Sequence, residues 1–591
     1  MRLEELARFF ARLEASGRRL GAARIVADLF GRARASELAP TVYLLQGQLR
    51  PPYEGVEIGV GERLLVRVLA NAYGVSQSAI ARRYRQAGDL GLVAEALAKG
   101  TPRGGGRGGR GGGGGGRRLT VRAAYEALLD VARTTGAGAV ARKTERLALL
   151  LGHAGPLEAK YLVRIAQGRL RLGIGDATIV EATAAGALGD RRKKPVVEHA
   201  YNVRSDLGGV VHLAYTKGER ALARIGPRVG VPVRPALAQR LASVEAIIKR
   251  LGTVQAEPKY DGFRLQFHRD GDRVWAFSRR LENVSAMFPE LTTGVHRQLR
   301  ARRVILEGEA CVVDRKTGRF LPFQVTMTRK RTHGIAEAAA RHPLRLYAFD
   351  LLYANGRDWL RRPLRRRHER LAALVRGTAG DPVAVSEVFA TDRAAELERY
   401  FRGMLRRGLE GIVAKRPDAP YRAGARGYDW IKLKRAYQSK LRDTVDVVLV
   451  GYLRGRGKRA LLGIGSLLGA VYDPARDRFR TVAKIGSGPS EARWKELRRL
   501  LDRQATPSRP PRVDSLITPD VWVEPRVVVE VLADEITRSP RHTCGRRGDA
   551  PGYALRFPRM LDGVRTDRTP EDATTEREVL ELFRMQRARS R

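Results

Sequence analysis

Apolar residues recur at helical spacing through the first hundred positions. In LEELARFFARLEASGRRLGAARIVADLF, Leu6, Phe9, Phe10 and Leu13 follow the i, i+3, i+4, i+7 rhythm of one buried helix face. The rhythm returns from about Val121 to Val180. Between the two stretches, Thr101–Arg118 (TPRGGGRGGRGGGGGGRR) carries five arginines, no acid and no side chain that can build a core. That segment reads as a flexible basic tether. In RLRLGIGDATI, Gly173 and Gly175 precede Asp176, which reads as a helix cap. A helix entered through glycines offers backbone N–H groups to a phosphate, although a plain glycine turn explains the same residues.

The pattern changes where Gly and Pro cluster in GPRVGVPVRP, Gly226–Pro235. From there to about residue 440, short β-branched runs (RVILEGEACVV, LRLYAFDLLY, GIVAK, YDWIKLK) alternate with helical segments, predicting a mixed α+β domain. After Lys440, the runs TVDVVLVGYL, LLGAVYD, FRTVAKIG and WVEPRVVVEVLA predict strands of a small barrel. A terminal amphipathic helix, EREVLELFRMQRARSR, closes the chain.

Composition narrows the partners. The 591 residues carry a formal charge of +48, which favours a polyanion such as nucleic acid or an anionic membrane. No run of about 20 apolar residues exists to span a membrane, and MRLEELARFF is no secretory signal. Two cysteines, Cys311 and Cys544, are too few for a zinc module or a disulfide framework. Only 17 lysines stand against 94 arginines. Where a generic cation suffices this chain uses Arg, so a retained Lys hints at lysine chemistry. Lys415, Lys432, Lys434 and Lys440 fall close together, and Lys259 stands alone. An amine can lose its proton and attack an electrophile, which a guanidinium essentially cannot.

Three segments carry candidate chemistry. In Glu257-Pro-Lys-Tyr-Asp-Gly-Phe-Arg264, Pro258 and Gly262 bracket Lys259 and set it at a strand edge or loop. An ordinary lysine is only about 1 part in 2,500 neutral at pH 7, so cations or a metal must assist if it is to attack. In RVILEGEACVV, alternation puts Glu307 and Glu309 about 7 Å apart on one face, with Gly308 between them. Such a pair suits Mg²⁺ or a ribose hydroxyl, or is simply a solvated acidic edge. In WIKLK, Trp430, Lys432 and Lys434 share a face that could grip phosphates, while Ile431 and Leu433 point to a core. No P-loop motif occurs, and Gly463, Gly465 and Gly469 read as barrel glycines.

In chain order, KYDG (259–262), FSRRLENVS (277–285), LEGE (306–309), YAFDLLY (347–353), EGIVAK (410–415) and WIKLK (430–434) resemble the nucleotidyltransferases that attach a nucleoside monophosphate to lysine. The resemblance is closest to ATP-dependent DNA ligases of archaeal type. RPPYEGVEIG and RLRLGIGDATIVEA look like their DNA-binding domain, and LRFPRMLDGVRTDRTPEDATT like the end of their oligonucleotide-binding barrel. The likeness implies three domains: an all-α DNA-binding domain over 1–228, with 101–118 as an insertion, an α+β adenylation domain over 229–440, and a β-barrel OB-fold over 441–591.

It also implies roles. Lys259 would attack the α-phosphate of ATP and hold AMP. Glu257 would read the adenine amino group and Phe349 stack on the ring. Arg264 and Arg279 would bind phosphate or ribose, with Glu309 near the ribose and metal. Glu410 would help hold Mg²⁺, or Mn²⁺ in its place. Arg426 and Lys432 would contact the nucleotide, and Lys434 the triphosphate or nick phosphate. Arg565 and Asp567 belong to the last motif, R-x-D-K in the family, which here reads Arg565-Thr-Asp567-Arg568. The implied activity is nick sealing in replication, recombination and repair, on duplex DNA in the nucleoid of a prokaryotic cytoplasm. Family members often bind a sliding clamp through an aromatic motif in the first domain, but no Gln-plus-diaromatic segment stands there. An RNA ligase or capping guanylyltransferase shares the lysine core without the long helical region ahead of it. An NAD-dependent ligase would carry a cysteine zinc finger, and a DNA-packaging protein would not need the lysine and carboxylate pattern.

Overall fold

The apolar stripe Leu6, Phe9, Phe10 and Leu13 is the buried face of the helix Leu3–Ala15, each of the four at most 3% exposed. The computed structural model describes residues 1–588 apart from 17–18, 88, 101–118, 169, 171, 242, 315–317, 322–324, 327, 332, 378–379, 435–443, 456 and 567. The side chains of a few helix and strand residues, Arg426 among them, are likewise not described. The tether 101–118, Lys440 and Asp567 thus lie outside the described residues.

Two compact units emerge. One comprises Met1–Gln239, Ile248–Arg393 and Val413–Ile431, and the other Arg240–Ile247, Ala394–Ile412 and Lys432–Arg591. The first unit begins with helices from Leu3–Ala15 to Leu207–Ala223, packed around one apolar cluster. Here Asp176 departs from its expected role. Gly175, extended at φ −130° and ψ −179°, takes the cap position and Asp176 opens the helix Asp176–Ala187. Its carboxylate instead accepts bonds from Gln46 Nε2 at 2.9 Å and Tyr201 Oη at 2.5 Å, tying three helical segments together.

The rest of the first unit is α+β, as the alternation of runs predicts. Strands Arg273–Ser278, Phe263–Asp270, Arg303–Val312, Leu344–Ala354 and Arg357–Asp358 pair in that order, and Val383–Val385 runs parallel to Leu344–Ala354. Val304, Leu306, Ala310 and Val312 fill the core on one face of Arg303–Val312, as the period of two requires. A Cβ on Gly308 would sit 2.8 Å from Tyr347 O, so only glycine lets these strands close. A second sheet holds Val254–Lys259 between Gly411–Lys415 and Phe389–Thr391, and Arg426–Lys434 and Leu237–Arg240 continue it.

Asp350, of the YAFD segment, is buried at 0% exposure against an equally buried Arg367. The guanidinium is bidentate at 2.7 and 3.0 Å and also donates to the carbonyls of Arg362 and Ala419. Removing one partner leaves an uncompensated buried charge, so Asp350→Ala is expected to cost about 3–5 kcal/mol. Urea titration followed by intrinsic fluorescence measures it, and a loss below about 1 kcal/mol would contradict the burial of this pair.

In the second unit, all four strand runs expected after Lys440 form. Ala505–Thr506, Val521–Leu532, Val445–Arg454, Ile464–Asp473, Arg478–Ile485 and Val513–Asp514 pair in that order, and Arg559–Val564 joins Val521–Leu532. Among the described residues no strand pair joins the two ends of this row, so the closed barrel expected from the runs is not seen among them. The terminal amphipathic run forms the helix Glu576–Ala588. No helix among the described residues is long and apolar enough to cross a membrane.

Candidate active site

Lys259 is the last residue of the strand Val254–Lys259, partly exposed where the ladder ends. The turn that follows is tight. A Cβ on Gly262 would lie 2.3 Å from Ala310 O and 2.5 Å from Cys311 Sγ, so glycine alone allows this contact with the strand carrying Glu309. Behind the lysine, Tyr260 stacks on Tyr347 with centroids 4.4 Å apart, and Phe320 packs on both rings. The nucleophile candidate therefore stands on a rigid aromatic base.

Glu307 and Glu309 do share a face, but it is not a solvated edge. Glu307 is 1% exposed and accepts bonds from Arg264 Nη2 at 2.7 Å, Tyr421 Oη at 2.6 Å and Gln266 Nε2 at 3.2 Å. Every oxygen of Glu307 is occupied by protein. Burial pushes the Glu309 carboxyl up to about 7, against the pull of the nearby Lys259 and Arg264 charges. Asp261 raises it further, while a bond from the Gly262 N–H works the other way. Lys259 and Glu309 are thus brought into electrostatic reach of each other.

Glu257 lies two residues before Lys259, on the same face of the strand. It is 3% exposed, and Lys415 Nζ donates to both carboxylate oxygens at 2.7 Å. Burial raises the Glu257 carboxyl above its ordinary value even though Lys415 pulls it down. The Lys415 ammonium lies 4.7 Å from the Phe349 ring centre and 4.3 Å from that of Trp430. Arg264 covers the same two rings at 5.4 and 5.6 Å. Two buried aromatic rings thus lie beneath two cations, and this Phe349–Trp430 nook adjoins the Glu257 carboxylate of the strand that ends in Lys259.

Arg279 is exposed in the turn after Arg273–Ser278, where Leu281 adopts φ +67°. It lines a narrow crevice with Arg264 and Glu307, and also the rim of a cleft of about 410 Å³ that Gln46, Asp176, Tyr201 and Arg234 share. In the second unit, Lys434 forms an ion pair with Glu410. Lys432 is partly exposed on the strand whose Ile431 and Leu433 are fully buried, matching the expected alternation. Also in that unit, Arg565 and Arg568 converge on Asp446 at 3.5 and 2.9 Å. The Arg426 backbone opens the strand Arg426–Lys434, and its side chain lies outside the described residues. Among the described residues no group of three or more His, Cys, Asp or Glu gathers to hold a metal.

Sequence reasoning missed the roles of Lys415, Tyr421 and Gln266. Lys415 had a signal, as a retained lysine in an arginine-rich chain, but neither its 158-residue separation from Glu257 nor their pairing can be read from spacing. Tyr421 and Gln266 gave no signal.

Comparison with known proteins matches the chain along most of its length. The model of the ATP dependent DNA ligase domain matches residues 235–434, that of the DNA ligase N terminus residues 2–184, and that of the ATP dependent DNA ligase C terminal region residues 462–568. A probable DNA ligase of Dictyoglomus turgidum is 46% identical over 99% of this chain and 97% of its own length. A DNA ligase of Sulfolobus acidocaldarius is 40% identical over 99% and 98%. The solved structure Pmar-Lig_Pre shares the fold, with a TM-score of 0.55 and 16% identity over 95% of this chain and 99% of that one. Matched from its helical region through its lysine motif to its C-terminal strands, the chain belongs to the ATP-dependent DNA ligases.

Proposed function

We propose that this ligase seals nicks in duplex DNA with Lys259 as its nucleophile. The observation that carries the reading is a partly exposed lysine ending its strand, within electrostatic reach of Glu309 and two residues from Glu257, whose partner Lys415 covers Phe349 and Trp430. Neutral Lys259 Nζ attacks the α-phosphorus of ATP. A P–N bond forms, the bond to the bridging oxygen breaks, and pyrophosphate leaves with the electron pair. The nick's 5′-phosphate then takes AMP from the lysine. Finally the 3′-hydroxyl attacks that phosphorus, closing the strand and expelling AMP. Such transfer depends on positioning and charge neutralisation more than on further covalent help.

In this reading Glu257, whose oxygens keep lone pairs beyond Lys415, accepts from the adenine amino group. Adenine stacks at Phe349, sharing the ring with Lys415 and Arg264. Arg264, Arg279, Arg426 and Lys432 bind ribose and phosphates, and Lys434 exchanges Glu410 for a phosphate. Glu309 and Glu410 would hold Mg²⁺ or Mn²⁺, which supplies charge neutralisation on the phosphates. Burial favours the neutral form of Glu309, so a bound cation would restore its carboxylate and be held by it in return. The proposed domains are 1–228 for DNA, 229–440 for adenylation, and 441–591 as an OB-fold that swings to complete each active state. Duplex DNA in the nucleoid is the proposed partner.

The test is to supply ATP labelled at either the α or the γ phosphate, with Mg²⁺ or Mn²⁺. Covalent label from the α position only is expected, and label from the γ position would overturn the reading. A further expectation concerns Arg565. Replacing it with Ala should slow self-adenylation at least about tenfold more than sealing of a nick already carrying AMP. Rapid-quench assays of both steps measure this, and equal losses would make Arg565 a structural partner of Asp446 only.

A further inference from the structure

The segment Gly230–Ala236 joins the helical part of the first unit to its sheets, yet from Pro232 to Ala236 it belongs to no strand. Its backbone is held instead by side chains of the strand Phe263–Asp270. Alternation turns Leu265 and Phe267 into the core and leaves Arg264, Gln266 and His268 on the opposite face. These three meet the linker in antiparallel order. Gly230 N–H donates to His268 Nδ1 at 3.0 Å, Val233 N–H donates to Gln266 Oε1 at 2.8 Å, and Arg264 Nη1 donates to Ala236 O at 2.7 Å.

The direction of every bond in the chain is fixed. His268 is fully buried, and burial lowers it to about 3, so the ring is neutral. Because Nδ1 accepts from an amide, Nε2 carries the proton and donates to Gln266 Oε1 at 2.8 Å. That orients the Gln266 amide. Its Nε2 must then donate to Val233 O at 3.0 Å and to Glu307 Oε1 at 3.2 Å. The second oxygen of Glu307 accepts from Arg264 at 2.7 Å and from Tyr421, whose hydroxyl in turn accepts from Ala236 N–H at 2.9 Å. A flipped amide would face two donors with a donor and lose several bonds at once.

We infer that Gln266 and His268 are positioning residues, which fix the Arg264 guanidinium over the Phe349–Trp430 nook only while the linker Gly230–Ala236 is docked. The inference rests on the proposed reading that Arg264 meets the nucleotide. Linker docking and nucleotide binding are then reciprocal. A bound nucleotide that holds Arg264 stabilises the linker, and a docked linker tightens the nucleotide site. Arg234 extends the tie into the helices, its N–H donating to Asn202 O at 2.8 Å and its guanidinium lying 4.5 Å from the Tyr201 ring centre.

The test is hydrogen exchange of the peptide holding Gly230 and Val233, with and without an ATP analogue that cannot be cleaved between its α and β phosphates. In the wild-type protein the analogue should slow exchange there about tenfold, within the usual range of such coupling. Gln266→Leu should abolish that slowing and raise the ATP KM for self-labelling about tenfold, with kcat within about twofold. His268→Gln, which keeps a donor near the Nε2 position, should retain both behaviours. Unchanged exchange in the wild type would overturn the inference, as would a Gln266→Leu protein whose kcat falls while KM stays. Exchange needs binding but no chemistry, so it also reads in Lys259→Ala. Persistent α-label in that variant would sink the site reading, while the exchange result would still judge the linker separately.

Discussion

Lys259→Arg should lose covalent AMP labelling by at least about a thousandfold. The substitution keeps the positive charge and nearly the same reach at the end of the strand Val254–Lys259. It removes the one property the first step needs, since a guanidinium does not give up its proton at any working pH. The aromatic base of Tyr260 and Tyr347 and the close contact of Gly262 with Ala310 lie outside the exchange, so the fold should stay intact. Two assays separate chemistry from collapse. Nicked-duplex binding should remain within about threefold of wild type, and sealing of unadenylated nicks with ATP should vanish with the label. An Arg variant that still labels strongly would mean that another residue is the nucleophile.

The second large effect belongs to a residue absent from the sequence-derived roles. Lys415→Met should cost about 3–5 kcal/mol, because it strands the Glu257 carboxylate in a site where both oxygens depend on the Lys415 ammonium. The loss should depend on pH with a definite sign. Burial already raises the Glu257 carboxyl, and removing Lys415 removes the charge that pulls it back. A carboxyl whose folded pKa lies above its unfolded value favours the folded state below the ordinary carboxylate range and loses that advantage as pH rises through the folded value. The deficit of Lys415→Met relative to wild type should therefore be small near pH 4 and grow towards pH 7–8. Pairing it with Glu257→Leu should restore most of the stability, since a buried ion pair exchanges for apolar groups at little cost. The double variant should still fail to label, for want of the carboxylate proposed to read adenine. Denaturation across that pH range decides the matter. A deficit that is flat with pH would contradict the buried pairing of Glu257 with Lys415.

Local pattern made much of this fold legible. Period-three-to-four spacing located the helix Leu3–Ala15, and period two set the core face of Arg303–Val312, because both depend only on near neighbours in the chain. The same rule put Glu307 and Glu309 on one face but could not tell them apart. What separates them is a tyrosine 114 residues from Glu307, which with Arg264 and Gln266 saturates one carboxylate and leaves the other beside Lys259. Asp176 looked like a cap for the same local reason. Gly175 fills that position, and distant Gln46 and Tyr201 claim the carboxylate. The C-terminal strands were each readable from their β-branched runs, whereas their pairing order depends on long-range register, which short runs do not encode. Linker capture by Arg264, Gln266 and His268 escaped for a further reason. It joins side chains to backbone, and the backbone half carries no residue signal at all.

The central claim is that Lys259 carries AMP between ATP and DNA. Peptide mapping by mass spectrometry of wild-type protein, incubated with ATP and Mg²⁺ without DNA, tests it most directly. The account predicts one adenylyl group on the peptide spanning Lys259, acid-labile as a P–N bond should be, which disappears when nicked duplex is added. An adduct on Lys415, Lys432, Lys434 or any other residue, or one that nicked DNA does not discharge, would contradict it.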